Sequence, residues 1–307
     1  MTHAVIAQAL EKRYRRRPWE KPRPVVSGFD LRVRAGGITG LLGPGSAGKS
    51  TVMKMLLGLV RPARGCASVL GHDCARESLA VRRAVAYVPQ DRGVFGRMRC
   101  VEFAGAVAAC SVNWDAALAS RLFSRWRIDP HARLRDLSPG ARSQLLFLVA
   151  LARRTPLLFL DEPTSGMDPG VADDTLSRIA SAAADGVTVL LATHRLDEVE
   201  RICDRVTIMN GGRIQLDADL DDLRAGWRAI DIARFPAVER LRGWEGVLRV
   251  SGDERAARLV VRGDVDAVVA RLHTFGAEVT GVRSMALREV YLHATGENAD
   301  GARDDLA

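Results

Sequence analysis

A glycine-rich turn between an apolar strand and a helix constrains this chain more than any other feature. Residues 38–42 form a short apolar run bounded by glycines, which is typical of a buried strand. Residues 50–59 carry apolar side chains at helical spacing and predict a helix. The segment between them matches the pattern G-x-x-x-x-G-K-[ST] and consists of Gly43, Pro44, Gly45, Ser46, Ala47, Gly48, Lys49 and Ser50. A strand, turn and helix of this kind are expected to bind phosphate.

The chemistry of this turn explains its spacing. Glycines allow successive backbone N–H groups to point into one concavity, where they hold phosphate oxygens. The helix that begins near Lys49 adds the positive end of its dipole. Lys49 is predicted to reach the β- and γ-phosphates of a nucleotide, and the Ser50 hydroxyl is predicted to bind Mg²⁺. Thr51, the next residue, is grouped with these nucleotide-binding residues.

The same glycines also match the dinucleotide-binding pattern G-x-G-x-x-G. That interpretation requires an acidic residue about 20 positions further on, at the end of a second strand. The stretch from Pro62 to Gly71 contains no Asp or Glu. A dinucleotide site would also leave Lys49 and Ser50 without a role, so the nucleoside triphosphate interpretation is favoured.

Two carboxylates follow an apolar strand later in the chain. Residues 157–160 are apolar and lead directly into Asp161 and Glu162. An aspartate at a strand end beside a phosphate turn is placed to hold Mg²⁺, which makes Asp161 the metal candidate. Glu162 is placed to act as a general base on a water molecule. The structural alternative is that the two acids only cap a helix or form a turn.

Several segments resemble the motifs of ABC transporter ATPases, in that family's order. Residues 161–168 resemble the second nucleotide motif and the D-loop, and residues 137–141 resemble the signature motif. Residues 87–90 resemble the Q-loop, and residues 192–194 resemble the switch histidine segment. The resemblance covers residues 1 to about 225. It implies an α/β fold, namely that of a P-loop NTPase cassette with a helical subdomain at about residues 92–140. It also implies that the cassette binds ATP and Mg²⁺.

The resemblance also implies roles for individual residues. Gln90 would coordinate Mg²⁺ and sense the γ-phosphate, and His194 would hold the γ-phosphate and the attacking water. In the family, the equivalents of Ser138 and Gly140 donate hydrogen bonds to ATP bound by the opposite subunit. Asp168 would act across the same interface. Because one chain carries one phosphate turn and one signature, two cassettes are expected to pair head to tail.

Tyr14 resembles the aromatic residue that stacks on adenine in this family. Its position after a predicted strand suits stacking. Trp19 and Phe29 are alternatives for the same role, and the residues alone leave this choice open.

The signature departs from the usual L-S-G-G-Q. Ser138 and Gly140 are retained, but Pro139 removes a backbone donor and fixes φ, and Ala141 removes a side-chain amide. We expect these changes to affect the rate of ATP turnover more than they affect ATP binding. An asymmetric dimer, in which a partner cassette supplies a better signature, stays open.

Composition and cysteine spacing exclude several other classes. The chain is 47% hydrophobic and 27% charged, which is typical of globular proteins and excludes a disordered or collagen-like chain. No window approaches 18 consecutive apolar residues, so no membrane span is predicted. The five cysteines form no C-x-x-C pair, which disfavours a zinc site or a disulfide framework. The net charge of +8 permits an anionic partner, but we interpret the excess of arginine mainly as composition bias.

The composition changes after about residue 225 and predicts a second, smaller unit. Residues 226–295 are expected to form a small α+β accessory domain of unassigned role, and residues 296–307 a disordered tail. Residues 113–115 and 286–292 resemble segments of cassettes that serve ABC-2-type membrane permeases, which are commonly exporters. The resemblance therefore implies permease partners, a second cassette, and a cytoplasmic location on the inner face of the cell membrane.

The alternative function is a non-transport ABC ATPase that acts on nucleic acid or the ribosome. A DNA-repair ATPase of this type needs a long coiled coil between its nucleotide motifs. The 70 residues between Gln90 and Asp161 (161 − 90 − 1) are too few to hold one. Ribosome-associated ABC factors normally carry two cassettes in one chain, so no nucleic acid partner is expected.

Overall fold

The computed structural model describes residues 2–15, 17, 19–90, 96–235 and 238–296. They divide into two units, one ending at Asp217 and the other starting at Ala218. The change in composition instead places this boundary after residue 225. In the structure the helix before that point belongs to the second unit, and its last residue, Gly226, accepts a backbone hydrogen bond from Gly263. Of the predicted disordered tail, residues 297–307 lie outside the described residues.

Both units contain strands and helices. The strands are β1 (His3–Tyr14), β2 (Arg23–Arg34), β3 (Ile38–Leu42), β4 (Arg64–Val69), β5 (His72–Asp73), β6 (Val85–Val88), β7 (Leu157–Asp161), β8 (Thr188–Thr193), β9 (Arg205–Asn210), β10 (Arg213–Asp219), β11 (Trp227–Ala233), β12 (Val247–Gly252), β13 (Ala256–Arg262) and β14 (Glu278–Ser284). The helices are α1 (Lys49–Leu56), α2 (Ser78–Ala84), α3 (Cys100–Ala109), α4 (Ala116–Arg125), α5 (Pro139–Ala152), α6 (Pro169–Ala184), α7 (Leu196–Ile202), α8 (Leu220–Gly226), α9 (Val265–Thr274) and α10 (Leu287–Thr295).

A six-stranded sheet with the order β10-β9-β3-β8-β7-β6 forms the centre of the first unit. The pairs β3–β9, β3–β8, β7–β8 and β6–β7 are all parallel. Strands β3 and β7 are buried along their whole length, as expected for apolar strands that are covered on both faces. Because parallel strands end at the same edge of a sheet, the segments that follow β3, β7 and β8 lie beside one another. The predicted α/β fold is confirmed.

A second sheet, with the order β2-β1-β4-β5, shares an apolar core with the central sheet and α1. This core includes Val5, Phe29, Val52 and Phe159. The Phe29 side chain is completely buried among these neighbours. Phe29 is therefore not available to stack on a ligand, which removes one of the alternatives to Tyr14.

Two helices differ in length from the sequence prediction. The helix α1 ends at Leu56, earlier than predicted, because the chain turns at Gly58, whose φ is +66°. The sequence predicts an apolar helix over residues 145–153. The helix α5 begins earlier, at Pro139, because Ser138 Oγ accepts a hydrogen bond from Ala141 N and caps the helix. Proline is favourable at this first position, where its missing N–H would have no helical partner.

Helices α3, α4 and α5 pack around an apolar core that includes Phe103, Leu122, Leu145 and Leu148. Helices α3 and α4 lie within the stretch in which a helical subdomain is predicted, and α5 begins at its end. Residues 92–95 of this stretch lie outside the described part of the chain.

Asp174 on α6 links this helical layer to the rest of the unit. Its Oδ1 accepts a hydrogen bond from Arg125 Nη2 at 2.7 Å, and its Oδ2 accepts from Trp126 Nε1 at 2.7 Å and from Arg178 Nε at 3.0 Å. Burial would raise the pKa of Asp174, but these three donors outweigh burial and lower the pKa to about 2. The ionised carboxylate is thus more stable in the folded chain than in the unfolded one.

Replacing Asp174 by asparagine is expected to destabilise the protein by about 2 kcal/mol near pH 7, since one pKa unit corresponds to about 1.4 kcal/mol. The stabilisation from Asp174 is complete above its unfolded pKa of 3.8 and is lost as the pH falls toward 2. Urea unfolding at about pH 7, 5 and 3.5 measures the difference in the free energy of unfolding between Asp174→Asn and the wild-type protein. This difference should become smaller as the pH falls. Asp185→Asn, at the exposed end of α6, is the matched control. Equal unfolding midpoints for the two variants near pH 7 would contradict the prediction.

The second unit is built on a separate four-stranded sheet with the order β12-β13-β11-β14. The pairs β11–β13, β11–β14 and β12–β13 are antiparallel. Ile230, Leu259, Val261 and Leu272 form its core, which the strands share with α9. An antiparallel sheet with helices agrees with the small α+β unit predicted from the sequence.

Candidate functional site

The turn after β3 brings the backbone close to its surroundings at two glycines. A Cβ atom at Gly43 would lie 2.1 Å from the Met209 carbonyl oxygen, and one at Gly48 would lie 2.7 Å from the Val25 carbonyl oxygen. Gly48 also has a φ of +102° and precedes α1 directly. Gly45 differs, because a Cβ there would meet no described atom within 4 Å. The turn is therefore tightly packed against protein at its ends and open in its middle, as a phosphate cradle requires.

Lys49 is buried at the base of this turn, with an exposed fraction of 4%. Its Nζ donates hydrogen bonds to the Gly43 carbonyl oxygen at 2.6 Å and to the Pro44 carbonyl oxygen at 3.1 Å. The same Nζ lies 3.6 Å from Glu162 Oε1. Burial lowers the pKa of Lys49, and the charges of Glu162 and Asp161 oppose this effect. The lysine thus joins the phosphate turn to the acidic end of β7.

Asp161 carries a buried oxygen atom without a hydrogen-bond partner. Its Oδ1 meets no donor among the described residues, whereas its Oδ2 accepts from the Tyr87 hydroxyl at 3.4 Å. Burial raises the pKa of Asp161, against the opposing effect of the Ser50 hydroxyl. Buried polar atoms normally have partners, so an unpaired carboxylate oxygen at a candidate site indicates a place for a cation.

Ser50 and Gln90 supply further oxygen atoms near Asp161. The Ser50 hydroxyl oxygen lies 3.5 Å from Gln90 Oε1. A carboxylate, a hydroxyl and an amide oxygen are the ligand types that Mg²⁺ prefers, and Mg²⁺ completes its shell with phosphate oxygens and water. The residues present therefore fit a bound magnesium ion. In the described part of the chain, no group of three or more His, Cys, Asp or Glu side chains offers a different metal site.

Glu162 and His194 meet across neighbouring strand ends. Glu162 Oε2 lies 2.8 Å from His194 Nδ1, and Glu162 N donates to the Ala192 carbonyl oxygen at 2.9 Å. The Glu162 side chain is 5% exposed, whereas that of His194 is 58% exposed. Glu162 also has a φ of +51°, the left-handed region that a non-glycine residue adopts only when its surroundings hold it there. Strained residues of this kind cluster at functional sites.

A buried carboxylate that the sequence does not predict, that of Glu198, lies next to the segments that carry this pair. Glu198 on α7 is 1% exposed, and its Oε2 accepts a hydrogen bond from Thr193 Oγ1 at 2.8 Å. Its Oε1 accepts a hydrogen bond from Thr164 Oγ1 and lies 3.3 Å from Arg195 Nε. Burial raises the pKa of Glu198, and the two hydroxyl donors oppose this effect. No sequence pattern distinguishes Glu198 from the other acids of α7, so only the structure could find it.

The signature and D-loop residues lie next to each other. A Cβ at Gly140 would lie 3.1 Å from the Gly166 carbonyl oxygen, and Asp168, two residues after Gly166, directly precedes α6. Within the described residues, no hydrogen bond or ion pair joins Ser138, Gly140 or Asp168 to the phosphate turn. Ser138 and Asp168 are both exposed, so they are accessible to a second molecule.

Tyr14 lies at the end of β1 and is 41% exposed. The Lys12 ammonium lies 5.3 Å from the centre of its ring. Trp19 is 77% exposed, and Arg17 lies over its ring at 5.8 Å. Both rings are accessible, so the choice of Tyr14 for stacking on adenine stays a prediction.

The fold and this edge of the sheet define the class of the protein. A glycine cradle that leads from a central parallel strand into a helix, with a buried lysine facing an acidic strand end, is the site of a P-loop nucleotide-binding protein.

Comparison with known proteins gives the family. The sequence profile of ABC transporters matches residues 26–165. The daunorubicin resistance ATP-binding protein of Streptomyces coeruleorubidus is 33% identical over 313 residues, which cover 96% of both chains. The Nod factor export ATP-binding protein I of Neorhizobium galegae is 31% identical over 312 residues, which cover 97% of this chain and 87% of that protein. The chain belongs to the ABC transporter family, as one of its ATP-binding subunits, which confirms the resemblance of its motifs.

Solved structures share the fold of more than two thirds of the chain. A structure described as the ATP-binding subunit of an ABC transporter has a TM-score of 0.64 and 27% identity, and covers 72% of this chain and 92% of its own. A dimeric cassette bound to ADP and Pi has the same TM-score at 18% identity, and covers 70% of this chain and 98% of its own. The second likeness shows the fold alone. The predicted fold class, a P-loop ABC cassette, is confirmed.

Proposed function

We propose that this chain hydrolyses Mg–ATP and thereby powers export through separate membrane permease subunits of the ABC-2 type. The observation that carries the proposal is the position of Glu162. Its two carboxylate oxygens lie 3.6 Å from Lys49 Nζ and 2.8 Å from His194 Nδ1, at the end of the strand beside the phosphate turn. A buried carboxylate between a lysine and a histidine has the surroundings expected of a general base that acts on a water molecule.

The cradle and the metal ligands bind the nucleotide in this proposal. Backbone N–H groups within residues 45–51 and the Lys49 ammonium hold the β- and γ-phosphates. Ser50, Gln90 and Asp161 hold Mg²⁺, and the unpaired Asp161 Oδ1 supports this assignment. The metal, when bound, neutralises charge on the phosphate oxygens.

The remaining residues act on the reacting group and on the base. Glu162 takes the proton of the attacking water, while His194 orients the Glu162 carboxylate and contacts the γ-phosphate. Tyr14 stacks on adenine. This arrangement makes Glu162 and His194 the catalytic residues.

Ser138, Gly140 and Asp168 act on ATP that is bound by a second cassette. Ser138 and Asp168 are exposed and, among the described residues, make no hydrogen bond with the phosphate turn of their own chain, which supports this assignment. Ser138 can still donate a hydrogen bond to the γ-phosphate of that ATP. Its Oγ accepts a hydrogen bond from Ala141 N, which leaves the hydroxyl hydrogen available. Closure of two cassettes around two ATP molecules would drive the attached permease subunits.

Light scattering of purified Glu162→Gln tests this pairing. Because that variant binds ATP without turning it over, we expect a dimer with Mg–ATP and a monomer without nucleotide. Mg–ADP serves as the control, since it lacks the γ-phosphate that the signature contacts. A monomer that binds Mg–ATP would contradict a symmetric homodimer and would favour pairing with a different cassette.

Export and membrane location rest on the relatives. The names of two of them refer to daunorubicin resistance and to Nod factor export. In the described part of the chain, no helix is long and apolar enough to cross a bilayer. We therefore infer that the chain works at the cytoplasmic face of the membrane through permease partners. The alternative function on nucleic acid or the ribosome gains no support from these relatives.

A further inference from the structure

The buried carboxylate of Glu198 connects the two segments that carry the proposed catalytic residues. Thr164 lies two positions after Glu162, and Thr193 lies directly before His194. Glu198 accepts hydrogen bonds from both threonine hydroxyls, one on each of its oxygens. A single side chain on α7 therefore ties the end of β7 to the end of β8.

The Glu162–His194 contact needs such an anchor. Glu162 is held at a φ of +51°, a backbone conformation that is unfavourable unless neighbouring contacts maintain it. The His194 side chain is 58% exposed, so packing alone restricts it little. The 2.8 Å distance between the two side chains thus depends on how the backbone beneath them is held.

Burial of Glu198 is itself costly, which indicates that its position has a use. A buried carboxylate is stable only when its oxygens are paired with donors or charges. Here two hydroxyl groups and the Arg195 guanidinium supply those partners. Thr193 Oγ1 also accepts a hydrogen bond from Arg195 N at 3.1 Å, which fixes the direction of the chain just after His194.

We propose that Glu198 is a positioning residue for ATP hydrolysis, which holds the Glu162 carboxylate and the His194 ring at their working distance through Thr164 and Thr193. Glu198 itself touches neither the phosphates nor the water. This inference rests on the proposed function, because it assigns Glu198 a task only if Glu162 is the base.

Glu198→Gln tests the proposal, with Glu200→Gln, an exposed acid on the same helix, as the matched control. The amide has the shape of the carboxylate but cannot accept from both hydroxyls. We expect kcat to fall about tenfold or more, since small misplacements of catalytic groups cost this much. The Kd for Mg–ATP, measured by equilibrium binding, should stay within about twofold because the cradle is untouched. A kcat equal to that of Glu200→Gln would overturn the proposal.

A pair of substitutions at Thr164 keeps the test decisive if Glu198→Gln does not fold. Thr164→Val removes the hydroxyl and keeps the shape, whereas Thr164→Ser keeps the hydroxyl. We expect the valine variant to have a lower kcat than the wild-type protein at an unchanged Kd for Mg–ATP. The serine variant should have a kcat close to that of the wild-type protein. Equal kcat values for the two variants would contradict the proposal, since a role in packing alone responds to volume and not to the hydroxyl.

A double-mutant comparison separates this inference from the proposed function. If Glu198 acts only through Glu162, the Glu162→Gln/Glu198→Gln protein should have the same residual turnover as Glu162→Gln. Effects that multiply would show that Glu198 acts through a group other than Glu162, and positioning of the Glu162 carboxylate would be wrong. If Glu162→Gln keeps its turnover, the proposed base itself fails. If only Glu198→Gln keeps its turnover, the proposed function stands and this inference fails.

Discussion

Glu162→Gln is expected to lower the rate of ATP hydrolysis by about 10²–10⁴-fold, the contribution typical of a general base. The substituted amide keeps the size of the side chain but cannot take a proton from water. ATP binding should be retained, because the phosphate turn, Lys49 and Asp161 are unchanged. Phosphate release at saturating Mg–ATP measures kcat, and equilibrium binding of a fluorescent ATP analogue measures Kd.

The surroundings of Glu162 make this test specific. The carboxylate is 5% exposed and has a cation or a ring nitrogen near each oxygen, so its replacement changes one defined point of the site. Glu200→Gln provides a control for the loss of one negative charge elsewhere in the same unit. Near wild-type turnover in Glu162→Gln would show that another group takes the proton.

Lys49→Ala should reduce nucleotide binding below detection. The ammonium is predicted to contact both the β- and the γ-phosphate, and each charged hydrogen bond contributes roughly 1.5–3 kcal/mol. Loss of two such bonds corresponds to an increase in Kd of about 10²–10⁴-fold. Titration with the same fluorescent ATP analogue measures this Kd.

Lys54→Ala is the matched control, because Lys54 is an exposed lysine on the same helix. Lys49 also donates to two carbonyl oxygens of the turn and lies near Glu162, so its removal affects the fold locally. A thermal unfolding curve therefore has to show that Lys49→Ala is folded before its binding is interpreted. Tight binding of ATP by the folded variant would exclude Lys49 as a phosphate ligand.

The two predictions differ in the step that they remove. Loss of Glu162 affects the chemical step after binding, whereas loss of Lys49 affects binding itself. The two variants should therefore separate in a binding assay even though both are inactive in a turnover assay.

Local chemistry explains how much of the site could be predicted from the sequence. The phosphate turn was recognisable because cradling phosphate needs glycines, a lysine and a hydroxyl at set spacing within one short segment. Asp161 and Glu162 were recognisable because they follow an apolar strand directly. The structure brings both segments to one edge of the sheet, with Lys49 Nζ 3.6 Å from Glu162 Oε1.

Features that depend on packing could not be predicted in this way. Phe29 is an aromatic residue in the middle of β2, and only the core shows that its ring is buried. The early start of α5 depends on the cap at Ser138, which an apolar periodicity does not record. The division between the two units also differs from the change in composition, because a helix joins the unit with which it forms hydrogen bonds.

Short-range spacing in this chain thus specifies the type of ligand and the residues that bind it, because each motif carries its own donors and its own backbone geometry. Contacts between motifs are decided by the order of the strands. Glu162 contacts His194, and Glu198 contacts the threonines beside both, because β7 and β8 are parallel neighbours with α7 directly after β8. Sheet order brings distant segments together whatever their separation along the chain, which is why Glu198 is identified from the tertiary structure alone.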